Sequence, residues 1–272
     1  MTSKKQAALS FPQGRLFRFP GGKTMDLSEF FQTNPRAASA FSGGVDSAYL
    51  LYAALRSGAD VTAYCVCSAF QPDFEREDAV RVAAGLGAAL RLLPLDVLSV
   101  PEIAENPPER CYFCKKRVFT AIAAAAREDG YALLLDGTNA SDDAADRPGM
   151  RALRELSVRS PLRECGLGKT EIRARARSAG LSVWDKPAYA CLATRIRTGE
   201  RLTAENLAAV ARAEHCLRTL GFSDFRVRSA GGDAKIQLRE SQLGALLEHR
   251  AAILRELKKD FQSVTLDLEV RG

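Results

Sequence analysis

Short runs of small and branched apolar residues are separated, through the first two-thirds of the chain, by stretches whose apolar positions recur every three or four residues. Runs of the first kind at 37–41, 61–67, 89–95 and 131–136, with a fifth candidate at 158–161, predict buried strands. Stretches of the second kind at 47–57, 73–86, 114–129 and 169–179 predict helices. Leu50, Leu51, Ala54 and Leu55 make the apolar stripe of the first helix, and Gly58, Gly87 and Gly130 stand just past the ends of three of them. Strands alternating with helices predict an α/β fold, a parallel sheet with helices on both faces.

The pattern changes after Gly199. Residues 203–220 read as one long helix with Thr203 as its N-cap and Asn206 in its first turn. Residues 225–229 and 234–238 read as a hairpin around Gly231-Gly232, followed by a helix at 241–258 and a strand at 264–270. The expected organisation is a mobile arm at 1–20, an α/β domain at 21–190 and a small C-terminal α+β domain at 200–272, with the boundary inside 186–202.

Composition agrees with a packed soluble protein. Of 272 residues, 46% are hydrophobic and 26% charged, ample for a sizeable core. No apolar run approaches the roughly 20 residues that span a bilayer, and no apolar secretory core follows Lys4 and Lys5, so the expected location is cytoplasmic. The net charge of +6 suits an anionic ligand such as a nucleotide. No long Lys/Arg run accompanies it, and a nucleic-acid partner is not expected. The seven cysteines, an odd count without an export signal, predict reduced thiols with metal or catalytic use for a subset.

Two segments carry candidate phosphate chemistry. Ser42, Gly43, Gly44, Val45, Asp46 and Ser47 join the first strand to the first helix. Glycines let the backbone approach a phosphate, and the helix N-terminus attracts the anion. Ser42 and Ser47 add hydroxyl donors, and Asp46 is placed to hold Mg²⁺ or orient the loop. A Walker A loop is excluded, because its Lys-Ser/Thr pair is missing. Asp136, Gly137, Thr138 and Asn139 follow the fourth strand, where ligands gather in a parallel sheet. Asp142 and Asp143 are candidate Mg²⁺ ligands there, and Arg147 a candidate phosphate contact.

Cys111 and Cys114 form a C-x-x-C pair at a helix start, a position that favours thiolate. Together with Cys191 they make a candidate set for a [4Fe–4S] cluster with one iron left open. Zinc, which wants a fourth ligand, a redox disulfide and inert thiols remain alternatives. Cys65 and Cys67 share a strand and read as core or pocket wall; Cys165, Cys216, His215 and His249 have no partner motif.

Residues 42–47, SGGVDS, resemble the signature of the PP-loop ATP pyrophosphatases, whose fold is the adenine nucleotide alpha hydrolase-like one. Further blocks at 106–116, 136–139, 147–149, 168–173, 184–195, 226–228 and 264–268 resemble the LarE-type ATP-dependent sulfur transferases of nickel-pincer cofactor synthesis, over roughly residues 35–270. The resemblance implies that ATP and Mg²⁺ adenylylate a carboxylate of a pyridinium dicarboxylate mononucleotide, and that sulfur then displaces AMP to give a thiocarboxylate. In single-cysteine members the sulfur comes from a cysteine at the place of Cys191; members with the extra C-x-x-C look like cluster users, the pattern found here. Glu214, Arg195, Arg226 and Arg228 match residues expected near the substrate, and alternation puts Arg226 and Arg228 on one strand face. The resemblance departs at 234–237, Ala-Lys-Ile-Gln in place of an Ala-Arg-Ile-Glu-like stretch. The expected partners are a small nucleotide-like substrate, copies of the chain itself, and sulfide or a sulfur-donor protein.

Three other functions fit parts of the pattern. A tRNA-thiolating enzyme would share the loop and cysteines but needs an RNA-binding module, and no signature of one is present. An AMP-forming amidating ligase needs an ammonia source, and a nucleotide sensor would bind ATP without releasing pyrophosphate.

Overall fold

The computed structural model describes residues 25–142 and 148–271. The expected arm at 1–20, Asp143 and Arg147 lie outside these residues. In chain order the first unit comprises α1 (Leu27–Thr33), β1 (Arg36–Ala40), α2 (Val45–Arg56), β2 (Asp60–Cys67), α3 (Asp73–Leu86) and β3 (Ala89–Pro94). It continues with α4 (Pro101–Ala104), α5 (Arg110–Glu128), β4 (Leu134–Leu135), α6 (Pro148–Glu155), α7 (Pro161–Glu164) and α8 (Lys169–Ser178). The strands form a parallel sheet in the order β3-β2-β1-β4. This is the expected α/β architecture.

Strand alternation divides the core into two layers. Ala37, Ala63, Cys65 and Leu135 point into one, with Leu50 and Leu51 of α2 and Ile172 of α8. Ala38, Tyr64 and Leu134 point into the other, with Phe119 and Ile122 of α5 and Leu153 of α6. Leu50 and Leu51 are fully buried, and burying each such side chain contributes about 1.5–3 kcal/mol.

The second unit comprises α9 (Ala204–Thr219), β5 (Arg226–Ala230), β6 (Asp233–Gln237), α10 (Leu243–Glu248), α11 (Arg250–Leu257) and β7 (Val264–Leu266). Thr203 caps α9 and forms a capping box with Asn206. β5 and β6 pair antiparallel across Gly231-Gly232, both with positive φ, and β7 joins β6 in parallel. The core of this unit also takes in Phe70, Val97 and Ile103 from the first unit, so packing is continuous between the two.

Several expectations change: the strands expected at 131–136 and 264–270 shorten to Leu134–Leu135 and Val264–Leu266. The fifth strand reduces to one bridge between Leu135 and Arg159, because Pro161 has no N–H to extend the ladder and opens α7 instead. The helix expected from 114 starts at Arg110, since the turn through Pro107 and Pro108 feeds straight into it. The helix at 241–258 splits into α10 and α11 at His249, whose ring sits edge-on to Phe222. The short helices α1, α4, α6 and α7 were not anticipated. Among the described residues no helix is long and apolar enough to cross a membrane.

Gly43 joins the fold to the site. Its φ is +72°, and a Cβ there would stand 2.7 Å from the Ala79 Cα of α3. Gly43→Ala is expected to lower stability by at least about 1–2 kcal/mol from the left-handed backbone alone. Gly85→Ala, on open helix surface, is expected to be neutral or to stabilise by up to about 1 kcal/mol. Urea denaturation of both variants tests this; equal midpoints would contradict the close approach of α3 to the loop.

Candidate active site

At the carboxyl ends of the parallel strands lies a cavity of about 540 Å³. One wall is the loop between β1 and α2. Gly44 is the N-cap of α2 and supplies no side-chain cap, so the first N–H groups of the helix are left for a ligand. Ser42 and Ser47 hydroxyls lie 3.2 Å apart, and Ser47 Oγ donates to the Gly44 carbonyl at 3.1 Å. Asp46 projects from the first turn; one of its oxygens is bonded by Lys169 of α8, while Oδ1 is buried without a hydrogen-bond partner. Gly137 packs on the same helix end, where a Cβ would meet the Ser47 nitrogen at 3.0 Å.

The loop after β4 is less open than the sequence implies. Asp136 is buried and accepts from Ser160 Oγ at 2.6 Å and from Thr138 Oγ1. Asp142 accepts from the Asn139 backbone N–H at 3.0 Å. These carboxylates shape their own turn, and among the described residues no three His, Cys, Asp or Glu side chains form a ready single-ion site.

The cysteines converge from two distant segments. Cys114 and Cys191 both line the cavity, and Cys111 and Cys191 are exposed. Arg110, buried at the start of α5, makes the join. Its guanidinium donates to Asn106 Oδ1 at 2.6 Å and to the Ala193 carbonyl at 2.8 Å, and reaches Cys111 Sγ at 3.8 Å. Asn106, in the left-handed region at φ 55°, donates to the Arg197 carbonyl at 2.9 Å. The expectation of a low-pKa thiolate is corrected at Cys114. Burial pushes the Cys114 thiol up to about 12, with Cys191 and Cys111 adding to it. Cys114 lies beyond the first turn of α5, where the helix dipole has faded. Cys191 is exposed as a residue, but its thiol is crowded by the surrounding cavity wall, and this desolvation raises it against the pull of Arg110.

Glu214 and Arg195, expected to face the substrate, are buried against each other. Arg195 Nε donates to Glu214 Oε1 at 2.6 Å, and the side chains are 2% and 1% exposed. Glu214 also accepts from the Val227 N–H at 3.1 Å and from the Tyr189 hydroxyl. That pair therefore positions Tyr189 and β5 instead of presenting a free group to a ligand. Arg226 and Arg228 do share one face of β5. Arg226 donates to the Ala188 carbonyl at 3.1 Å and Arg228 to the Thr194 carbonyl at 3.0 Å, so they hold the Cys191 segment from both sides. Each guanidinium has five N–H donors, and the contacts just named leave others for a ligand.

Sequence reasoning missed Arg110, Lys169, Lys186 and Tyr189 as site residues. The signal for Lys169 was its place at the start of a helix following the sheet. All four lie in the blocks at 106–116, 168–173 and 184–195 that carry the resemblance, but nothing else local gave any of them an individual role.

The sheet, the glycine loop and the cleft at the strand ends define an α/β enzyme scaffold. No protein-family model matches the chain. It is 39% identical over 236 residues, 86% of each chain, to pyridinium-3,5-bisthiocarboxylic acid mononucleotide synthase of Lactiplantibacillus plantarum. It is also 39% identical over 255 residues to an uncharacterized protein of Synechocystis, covering 91% of this chain and 94% of that one. An uncharacterized protein of Methanocaldococcus jannaschii is 30% identical over 246 residues, with 90% and 94% covered. The chain belongs to the LarE-type sulfur transferase family.

Arg195→Met would leave Glu214 charged, buried and without its cation. The expected loss is about 3–5 kcal/mol, read as a fall in the denaturation midpoint. The Arg195→Met/Glu214→Leu double variant is expected to recover part of it; a single variant as stable as the parent would rule out the pairing.

Proposed function

We propose that this enzyme activates a carboxylate of a pyridinium dicarboxylate mononucleotide with ATP, releasing pyrophosphate, and then inserts sulfur to give a thiocarboxylate. The observation that carries this reading is a single cavity with a bare helix N-terminus and its serine-glycine loop on one wall and Cys114 and Cys191 on another, in a chain so similar to a bisthiocarboxylic acid mononucleotide synthase.

The N–H groups of α2 and the hydroxyls of Ser42 and Ser47 bind the β- and γ-phosphates and stabilise the departing pyrophosphate. Mg²⁺ would be held by Asp46, whose buried Oδ1 lacks a partner, and would shield charge on the phosphates; Lys169, paired with the other Asp46 oxygen, sets a positive charge beside the same helix end. Tyr189 and Pro187 wall the cavity and limit water. Arg226 and Arg228 use their remaining donors on the acceptor's phosphate.

Cys111, Cys114 and Cys191 would hold a [4Fe–4S] cluster. The donor set fits in kind: Cys111 and Cys191 lie near enough to Cys114 to raise its thiol, while among the described residues no three such side chains are gathered closely enough to share one ion. Ligands of one zinc ion share that ion, whereas cluster cysteines bind different irons and stand farther apart. When bound, the cluster supplies one iron free of protein ligand for exchangeable sulfide, replenished by free sulfide or a donor protein.

Asp46→Ala is expected to abolish pyrophosphate release while the fold is retained. Arg226→Ala and Arg228→Ala are each expected to weaken acceptor binding by about 1.5–3 kcal/mol, with ATP binding nearly unchanged. Normal pyrophosphate release in the first, or unchanged acceptor affinity in the others, would refute those roles. Anaerobic reconstitution with iron and sulfide is expected to give cluster absorption and several sulfurs transferred per chain. A protein without cluster, whose Cys191 becomes dehydroalanine after one turnover, would instead show a sacrificial cysteine.

A further inference from the structure

Of the three lysines that line the cavity, Lys115, Lys169 and Lys186, the last has an unusual setting. Arg173 of α8 donates to the carbonyls of Trp184 at 2.8 Å and Lys186 at 2.7 Å, pinning the segment that runs on to Cys191. From this fixed backbone the Lys186 side chain enters the cavity. Its ammonium nitrogen stands 2.9 Å from Glu75 Oε1 and 2.8 Å from Asp78 Oδ2, with only 16% of the side chain exposed. Neither contact has hydrogen-bond geometry: Lys186 Nζ, Glu75 Oε1 and the neighbouring Gln71 Oε1 are all buried without a hydrogen-bond partner. A buried ammonium group is costly unless it is hydrogen-bonded as well as paired. An ammonium left in this state, in the wall of a ligand cavity, is held for a ligand.

Its place identifies which part of the ligand. Glu75 lies one helical turn before Ala79, the residue against which Gly43 of the phosphate loop packs. Lys186 itself belongs to the segment that carries Cys191. It therefore stands between the loop, which serves the terminal phosphates, and the sulfur-bearing end. The α-phosphorus must lie there if an acceptor carboxylate is to attack it.

We infer that Lys186 binds the α-phosphoryl group of the nucleotide, exchanging its two carboxylate neighbours for phosphoryl oxygens. The inference rests on the ATP reading above. In the first step the acceptor carboxylate oxygen bonds to the α-phosphorus, and the bond from phosphorus to the bridging oxygen breaks. Pyrophosphate leaves with that electron pair. Lys186 keeps its protons throughout and balances the charge on the two non-bridging oxygens. It keeps the same oxygens when AMP is displaced from the acyl carbon by sulfur.

Calorimetric titration of the full chain with AMP and with inorganic pyrophosphate, with Mg²⁺ present, tests the assignment. Lys186→Met is expected to weaken AMP by about ten- to hundredfold, the range for a lost charge-assisted hydrogen bond. Pyrophosphate affinity, which needs only an intact loop, is expected to change by less than about twofold, within the scatter of surface effects. Lys186→Arg restores part of the AMP affinity. Glu75→Gln, which removes a competing carboxylate, tightens AMP, a response that a purely structural ion pair would not give. Unchanged AMP binding in Lys186→Met, parallel loss of both ligands, or weaker AMP binding in Glu75→Gln overturns the assignment. A parent protein that binds neither ligand overturns the nucleotide reading and this assignment with it. A parent that binds both upholds the nucleotide reading, and the variants then decide the role of Lys186 alone.

Discussion

The Arg110 guanidinium decides whether this protein has one site or two unrelated ends. The C-x-x-C helix start and the Cys191 segment are remote in sequence, yet Phe113, Cys114, Tyr189, Leu192 and Ala193 meet in one apolar cluster. Arg110 ties them through the Ala193 carbonyl, and Asn106 repeats the tie at Arg197. A buried guanidinium that loses its acceptors suffers a heavy desolvation penalty, so the two segments are held in register. An Asn backbone at positive φ is part of the cost of that geometry.

The other components are arranged around this join. Close approaches at Gly43 and Gly137 fix the glycine loop against α3 and the turn after β4. From the opposite side, Arg226 and Arg228 hold carbonyls of the Cys191 segment, while the Arg195–Glu214 pair holds Tyr189 and the edge of β5. The cavity wall is thus built by polar contacts to backbone carbonyls, which define positions more sharply than apolar packing alone. The small C-terminal unit thus acts as a clamp on that segment.

Much of this was legible in the sequence, for local reasons. The alternation of apolar runs with helical stripes gave the parallel sheet, and SGGVDS between strand and helix gave the loop. Thr203 and Asn206 marked the start of α9, and Gly231-Gly232 marked the hairpin. What was not legible depends on distant contacts. Nothing local distinguishes an arginine that bridges Asn106 and Ala193 from a solvated one. Glu214 reads as a polar helix residue until β5 and Tyr189 bury it. The environment of the Cys114 thiol failed for the same reason: a helix start was visible there, but the burial that outweighs it was not. Pro161 was visible, yet its effect on the expected fifth strand required knowing that the strand sat at the sheet edge.

The departure at residue 237 has a physical consequence for the substrate side. Gln237 accepts from Arg228 Nε at 2.6 Å through its carbonyl oxygen and donates to Asp267 Oδ2 at 2.7 Å through its amide. Asp267 already takes Lys235 at 2.8 Å, and these two partners hold its carboxyl below the usual range. A glutamate at this position would face Asp267 as a like charge and would neutralise Arg228. The amide makes both contacts without carrying charge. Arg228 is therefore oriented but not compensated, and its full positive charge remains on the exposed face of β5 beside Arg226. An anionic group docking there meets two cations whose directions are already fixed, so less ordering is required on binding. In this chain the amide at 237 orients Arg228 and ties it to Asp267 without placing a second negative charge beside either.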